Sequence, residues 1–504
     1  MNRVEYTDGA RWAGDGRWID ERVRHEQVEK YLDDGGDFID AAGLDELMEG
    51  ICEPDAERVR ELIGKALEIE SLNPAEAAVL LGVRDEELWR EMEEAAAQVK
   101  RYVYDNRIVT FAPLYLSNYC VNNCVYCGFR SSNKACIRKR LSIDEVRRET
   151  EVLAGRIGHK RLIVVYGEHP KTDVDYIAST IRAIYDVKVA TRNGTGQIRR
   201  VNVNAAPMAV EQLRQLREVG LGTFQVFQET YHKGTYRRVH PVNTVKGDYL
   251  WRLTAMHRAM EAGVDDVGIG CLFGLYDWRY EVLGLVAHAV ELERVFGVGP
   301  HTISFPRLEP AVNTPFAEKS KWAVSEADLR KIVTVLRLAV PYTGMILTAR
   351  ENEKTRSEIL PLGCTQTDAS SCIGIGGYVA MLDEQDDTQQ FRLGDTRSLD
   401  ELVRELATKG WITSFCTAGY RCGRTGEKIM NLLRCGKEGK FCKLNAVITF
   451  REWLDDFASD ETKAVGEELI RREIAEIREQ MPAVYPKLLE FYKRTEQGQR
   501  DLFF

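Results

Sequence analysis

Three cysteines of the 504-residue chain, Cys120, Cys124 and Cys127, crowd one short stretch, Asn118-Tyr119-Cys120-Val121-Asn122-Asn123-Cys124-Val125-Tyr126-Cys127. Gaps of three and two residues let three thiolates converge on one soft centre. A structural zinc ion normally takes four protein ligands, and no second CxxC pair or histidine pair stands at finger spacing. An iron-sulfur cluster held by three thiolates, with one iron open to a ligand from outside the chain, suits the set better. A second group, Cys416, Cys422, Cys435 and Cys442, lies near the end. With 12 cysteines and no export pattern at the start, a disulfide framework is not expected, because the cytosol keeps thiols reduced.

Such ligands need a scaffold, and the pattern of apolar residues supplies one. From about Trp18 to Lys100 the sequence has helical spacing, with Asn73 as a cap and Pro74 at the first helical position of one segment. From Arg107 the rhythm changes to short runs rich in Val, Ile and Phe alternating with amphipathic stretches. Eight strands are expected: 107–116, 160–167, 200–204, 223–229, 265–272, 302–306, 345–350 and 364–371. Helices are expected after the first seven, at 142–156, 173–185, 209–218, 248–262, 279–296, 326–340 and 351–359. Eight βα repeats predict an α/β fold, a closed (β/α)8 barrel of the TIM type, whose chemistry sits at the C-terminal ends of the strands. Three regions follow: a helical N-terminal region at 1–105, the barrel at 106–375, and a helical, cysteine-containing C-terminal extension at 376–504.

Composition narrows the partners. Lys plus Arg total 69 against 78 Asp plus Glu, a net charge of -9, which argues against a nucleic-acid binder. No apolar run is long enough to span a membrane, so a cytoplasmic protein without membrane or nucleic-acid partners is expected.

CxxxCxxC after the first strand of a barrel, with the aromatic Tyr126 before the last cysteine, resembles the radical S-adenosylmethionine (SAM) superfamily. The resemblance implies a 4Fe-4S cluster on Cys120, Cys124 and Cys127, with SAM bound at the open iron and cleaved reductively to methionine and a 5′-deoxyadenosyl radical. It places Gly167 and Glu168, at the end of the second strand, against the SAM amino group. Asn204 and Glu229 end the third and fourth strands; they suit SAM's ribose or amino acid part, or a supporting structural role. Gly268 and Gly270 resemble the small-residue stretch that lets adenine approach the backbone.

The stretches PLYLSNYCVNNCVYCGFRSSNK, IRRVNVN, FQETYH, AMEAGVDDVGIG, GVGPHTIS, AVPYTGMIL, GRTGEKIM and NAVITF narrow the resemblance to the tyrosine lyases HydG and ThiH, over about residues 73–458. In HydG-type enzymes L-tyrosine is broken at Cα-Cβ to p-cresol and dehydroglycine, and a second, C-terminal iron-sulfur cluster turns dehydroglycine into CO and cyanide. Here Gly419 stands at the second place of the tail's CxxC motif, which leaves Cys416 and Cys442, with Cys422 as a substitute ligand and Cys435 a weaker one. His288 and His301 are candidates for the family's auxiliary histidine ligand or are structural. Arg350 is expected to clamp the substrate carboxylate. Ala349 stands where the family commonly has Ser or Thr, and Ser370 and Ser371 are expected to supply hydroxyls or to shape a turn. Arg307 is expected to be a second pocket cation or a loop salt bridge. The resemblance implies an amino acid substrate, an electron donor such as ferredoxin or flavodoxin, and metallocofactor maturation proteins as partners. The rival readings are a paralogue that acts on another amino acid such as tryptophan or releases its imine product, and a non-catalytic iron-sulfur scaffold.

Overall fold

A computed structural model describes residues 18, 21–380 and 389–504. The β-branched and aromatic runs form eight parallel strands: β1 (Arg107–Ser117), β2 (Arg161–Tyr166), β3 (Arg200–Asn204), β4 (Leu221–Gln225), β5 (Asp266–Gly270), β6 (Thr302–Ser304), β7 (Gly344–Ile346) and β8 (Gln366–Asp368). Each pairs with the next, and β8 returns to β1 through Val109↔Gln366, Thr110↔Thr367 and Phe111↔Asp368, so the sheet closes. The expected barrel is the fold observed. Closure leaves no free sheet edge around the ring and brings the eight C-terminal strand ends to one face.

The outer ring follows the amphipathic stretches. Ile143–Val152 and Glu326–Ala339 start with capping boxes, in which Ser142 and Ser325 cap backbone N–H groups and Glu145 and Asp328 answer to the cap residue's own N–H. Asn73 and Glu76 do the same for Pro74–Leu81, with Pro74 at the first turn, as the sequence pattern predicts. Helices Pro74–Leu81 and Glu86–Tyr104 pack on the ring helices, and the buried Lys100 donates to Leu360 O at 2.8 Å, so the N-terminal region is bolted to the barrel.

The expected helix at 248–262 is two, Tyr249–Leu253 and Ala255–Glu261. The Thr254 hydroxyl between them bonds back to Leu250 O at 2.8 Å and accepts from Arg258, which breaks the helical run. A ninth strand, β9 (Ile412–Ser414), was not expected; it pairs in parallel with Arg107, Ile108 and Val109 of β1 and ties the C-terminal extension to the barrel wall. Its three residues are too short to carry a periodicity. Among the described residues no helix is long and apolar enough to cross a membrane.

Candidate active site

The loop after β1 carries Cys120, Cys124 and Cys127 and is pinned from several sides. Val121 N donates to Glu168 O at 2.8 Å, and Val125 N donates to Val239 O at 3.1 Å. Arg138, which the sequence reading did not single out, gathers three carbonyls of the loop: Asn118 O at 2.6 Å, Phe129 O at 2.7 Å and Arg130 O at 2.6 Å. At Gly167 a Cβ would lie 2.2 Å from Tyr119 O, so only glycine lets the cysteine loop rest on the end of β2. Cys124 is buried and its two partners are half-buried. Burial, with the neighbouring Cys127, pushes the Cys120 thiol up to about 11 and the Cys124 thiol up to about 12. Both are poor thiolates until a cationic centre stabilises the anion.

All three thiols face one cavity of about 220 Å³ at the C-terminal end of the barrel. Of the expected site residues, Tyr126 of the cysteine loop and Gly167, Glu168, Asn204, Glu229 and Arg350 from the strand ends line it. The Tyr126 hydroxyl is 2.7 Å from His240 Nε2. Asn122 donates to Glu168 Oε2 at 2.7 Å; Oε1 of Glu168 lies 3.6 Å from Arg22 Nε and has no hydrogen-bond partner among the described residues. Glu229, at a backbone φ of 72°, accepts from Lys246 at 2.7 Å and from Arg252 at 3.2 Å. Burial opposes ionisation of Glu229, but the two cations outweigh it and hold the carboxyl below its usual range. Lys246 lies in the turn before the expected helix 248–262 and Arg252 within it, and neither position carries a signal in the sequence.

Arg350 follows β7, and its guanidinium lies over the Phe391 ring at 3.3 Å from the centroid. Phe391 and Gln390 reach the cavity from the extension; Gln390 accepts from the Tyr115 hydroxyl at 3.0 Å and donates to Cys127 Sγ at 3.6 Å.

Other expected residues stand elsewhere. Gly268 and Gly270 do not line the cavity; a Cβ there would meet Thr302 Oγ1 at 2.6 Å and Phe227 Cδ1 at 2.5 Å, so they make room inside the barrel wall. Arg307 is a loop salt bridge to Glu351, and it donates to Val324 O at 2.9 Å. The Ser370 hydroxyl accepts from Leu399 N at 2.8 Å, and Ser371 donates to Asp368, so both serve a turn outside the cavity. Asp368 itself lines the cavity and accepts from Ala349 N at 2.7 Å.

At the opposite end of the barrel Cys416 follows β9 with a φ of 46°, beside Arg107 and Arg161 at the starts of β1 and β2. Its thiol is hydrogen-bonded to that of Cys442, which, with the two arginines, holds it well below the usual range. Gly419 lies on the short helix Ala418–Arg421 and offers no side-chain donor. Cys422 turns away, with its thiol 3.4 Å from Phe504 O, and Cys435 is exposed. Tyr420, next to Gly419, carries the Arg200 guanidinium 3.2 Å from its ring centroid, and its hydroxyl is 3.1 Å from His301 Nε2. His288 is buried outside the barrel, with Nδ1 2.9 Å from the Tyr231 hydroxyl and its pKa pushed down by burial to about 3. These two histidines share no site.

A closed parallel barrel with three cysteines and a largely apolar cavity carrying a few charged groups at its C-terminal mouth defines a radical SAM enzyme, and the comparisons agree. Residues 114–283 match the Radical SAM superfamily model, and residues 304–412 match the Biotin and Thiamin Synthesis associated domain. The chain is 30% identical to 2-iminoacetate synthase of Escherichia coli (strain K12) over 351 residues, 69% of this chain and 88% of that protein. It resembles a crystal structure of HydG, a maturase of the [FeFe]-hydrogenase, with a TM-score of 0.88 and 46% identity over 93% of this chain and 100% of the other. For HydG of Carboxydothermus hydrogenoformans the values are 0.73 and 35% over 96% and 100%. The chain belongs to the radical SAM superfamily and, within it, to the HydG-like group that also takes in 2-iminoacetate synthase. Membership implies a 4Fe-4S cluster and SAM as cofactors. Three cysteines of one loop lining one cavity, beside an acceptor atom of Glu168 left without a hydrogen bond among the described residues, suit that pair.

Proposed function

We propose that this chain is a carbon-carbon lyase acting on an aromatic amino acid, L-tyrosine, to give p-cresol and dehydroglycine. When bound, the cluster and SAM supply the one-electron chemistry; the protein's part is to bind, orient and exclude water. Cys120, Cys124 and Cys127 hold the cluster. Glu168, Asn204 and the Glu229, Lys246 and Arg252 group face SAM, the last with one net positive charge suited to its carboxylate. The observation that carries the substrate reading is Arg350: among the described residues no carboxylate is hydrogen-bonded to it, it faces the cavity that holds the thiols, and its planar fork matches a carboxylate. A non-catalytic scaffold has no use for such a pocket.

The electron donor is a low-potential protein of the ferredoxin or flavodoxin type. The imine leaves the enzyme without conversion to CO and cyanide, because the far end of the barrel offers a second cluster two thiols, Cys416 and Cys442: the third position is Gly419, and the Cys422 thiol turns away to Phe504 O. A site with two thiolates would hold a cluster poorly. Anaerobic turnover with L-tyrosine tests both halves: p-cresol without stoichiometric CO supports them, and an absence of p-cresol overturns the first.

A further inference from the structure

The ionisable groups that line the cavity sort by whether they already have partners. Glu168 accepts from Asn122, Glu229 accepts from Lys246 and Arg252, and Asp368 accepts from Ala349 N and the Ser371 hydroxyl. Among the described residues two charged groups of the cavity remain without a hydrogen bond or ion pair, the cation Arg350 after β7 and the anion Glu309 after β6. Adjacent strands therefore present one free charge of each sign to the same space, and each group feels the other's charge.

The loop that carries Glu309 is fixed on both sides. Leu308 N donates to Phe273 O at 2.7 Å, and Arg392 N donates to Pro310 O at 3.3 Å. An α-amino acid has its carboxylate and ammonium on one carbon, so a receptor for it needs a cation and an anion close together. Arg350 serves the first end; a neighbouring carboxylate without a donor suits the second. Burial, reinforced by Glu351, raises the Glu309 carboxyl, which makes it a better base than an exposed carboxylate.

We infer that Glu309 binds the α-ammonium of the substrate and takes one proton from it, so that the amino acid reacts as the neutral amine. One N–H bond breaks and one O–H bond forms at Glu309; the ammonium becomes an amine, the carboxylate a carboxylic acid, and no electron is exchanged. The proton returns to water once the product has left. The inference rests on the lyase reading, since an amine N–H is the bond to be attacked in that chemistry.

Binding to the cluster-loaded, SAM-bound protein tests it, with L-tyrosine and 3-(4-hydroxyphenyl)propanoic acid, which lacks the amino group, as the two probes. Glu309→Gln should bind L-tyrosine about 10- to 100-fold more weakly, the range for losing one charged hydrogen-bonded contact, and bind the desamino acid within about twofold of the parent. Glu309→Asp should recover part of the loss, and the acidic limb of the p-cresol rate profile should vanish in Glu309→Gln. Equal binding of L-tyrosine by parent and Glu309→Gln would overturn the assignment, as would an equal loss for both probes. A parent that binds no L-tyrosine would overturn the lyase reading itself, and this assignment with it.

Discussion

The guanidinium of Arg350 lies 3.3 Å over the centre of the Phe391 ring, so a residue of the C-terminal extension supports a cation of the barrel mouth. The ring restrains the guanidinium, and both residues line the cavity. Arg350→Lys keeps the charge and loses the fork and the stack. The expected cost to L-tyrosine binding is about 1 to 3 kcal/mol, with substrate-independent SAM cleavage retained. Calorimetry that gives the parent's affinity for the variant would remove Arg350 from the pocket.

Cys124→Ala should abolish SAM cleavage, because three thiolates are needed to leave one distinct iron. Cys52, exposed and far in sequence from any other thiol, is the control; Cys52→Ala should keep the parent's rate. Deoxyadenosine formed by Cys124→Ala at the normal yield would refute the ligand set.

Much of this was legible in the sequence, and the exceptions have physical causes. Strands β1 and β2 announce themselves because a strand buried on both faces reads as a near-continuous apolar run, whereas β8, Gln366–Asp368, is polar and was legible only from the apolar run around it and the βα rhythm. The thiol triad was visible because its ligands share one loop. Glu309, Lys246 and Arg252 were not, because a charged residue becomes a cavity group only through the fold. Gly268 and Gly270 stand where a Cβ would run into Thr302 and Phe227, a close approach that a small residue on a strand announces without saying what it serves.

Glu281 is fully buried behind the Glu229 turn, where it accepts from Tyr231 N at 2.7 Å and from the Thr230 hydroxyl. Burial pushes its pKa up to about 7, against an ordinary value of 4.5. The folded state keeps a proton that the unfolded chain releases, so this stabilisation is complete below pH 4.5 and fades as pH rises through 7. The loss is on the order of 3 kcal/mol. Glu281→Gln should flatten the fall in apparent melting temperature between pH 5 and pH 8; a slope equal to the parent's would contradict the assignment.

Iron content reports on the far end of the barrel. The parent, reconstituted anaerobically, should hold about four irons, one cluster's worth. Gly419→Cys supplies the missing thiol beside Cys416 and should raise both iron and CO yield if ligand loss is the whole deficit. About eight irons in the parent, with CO stoichiometric to p-cresol, would show that Tyr420 and Cys422 yield to a complete second cluster.

The most direct measurement of the account is a single anaerobic reaction of the reconstituted protein with SAM, dithionite and L-tyrosine, followed for p-cresol and 5′-deoxyadenosine together. The account predicts both products, with p-cresol dependent on L-tyrosine and absent from Arg350→Ala while deoxyadenosine persists there. Deoxyadenosine without any p-cresol in the parent would contradict it.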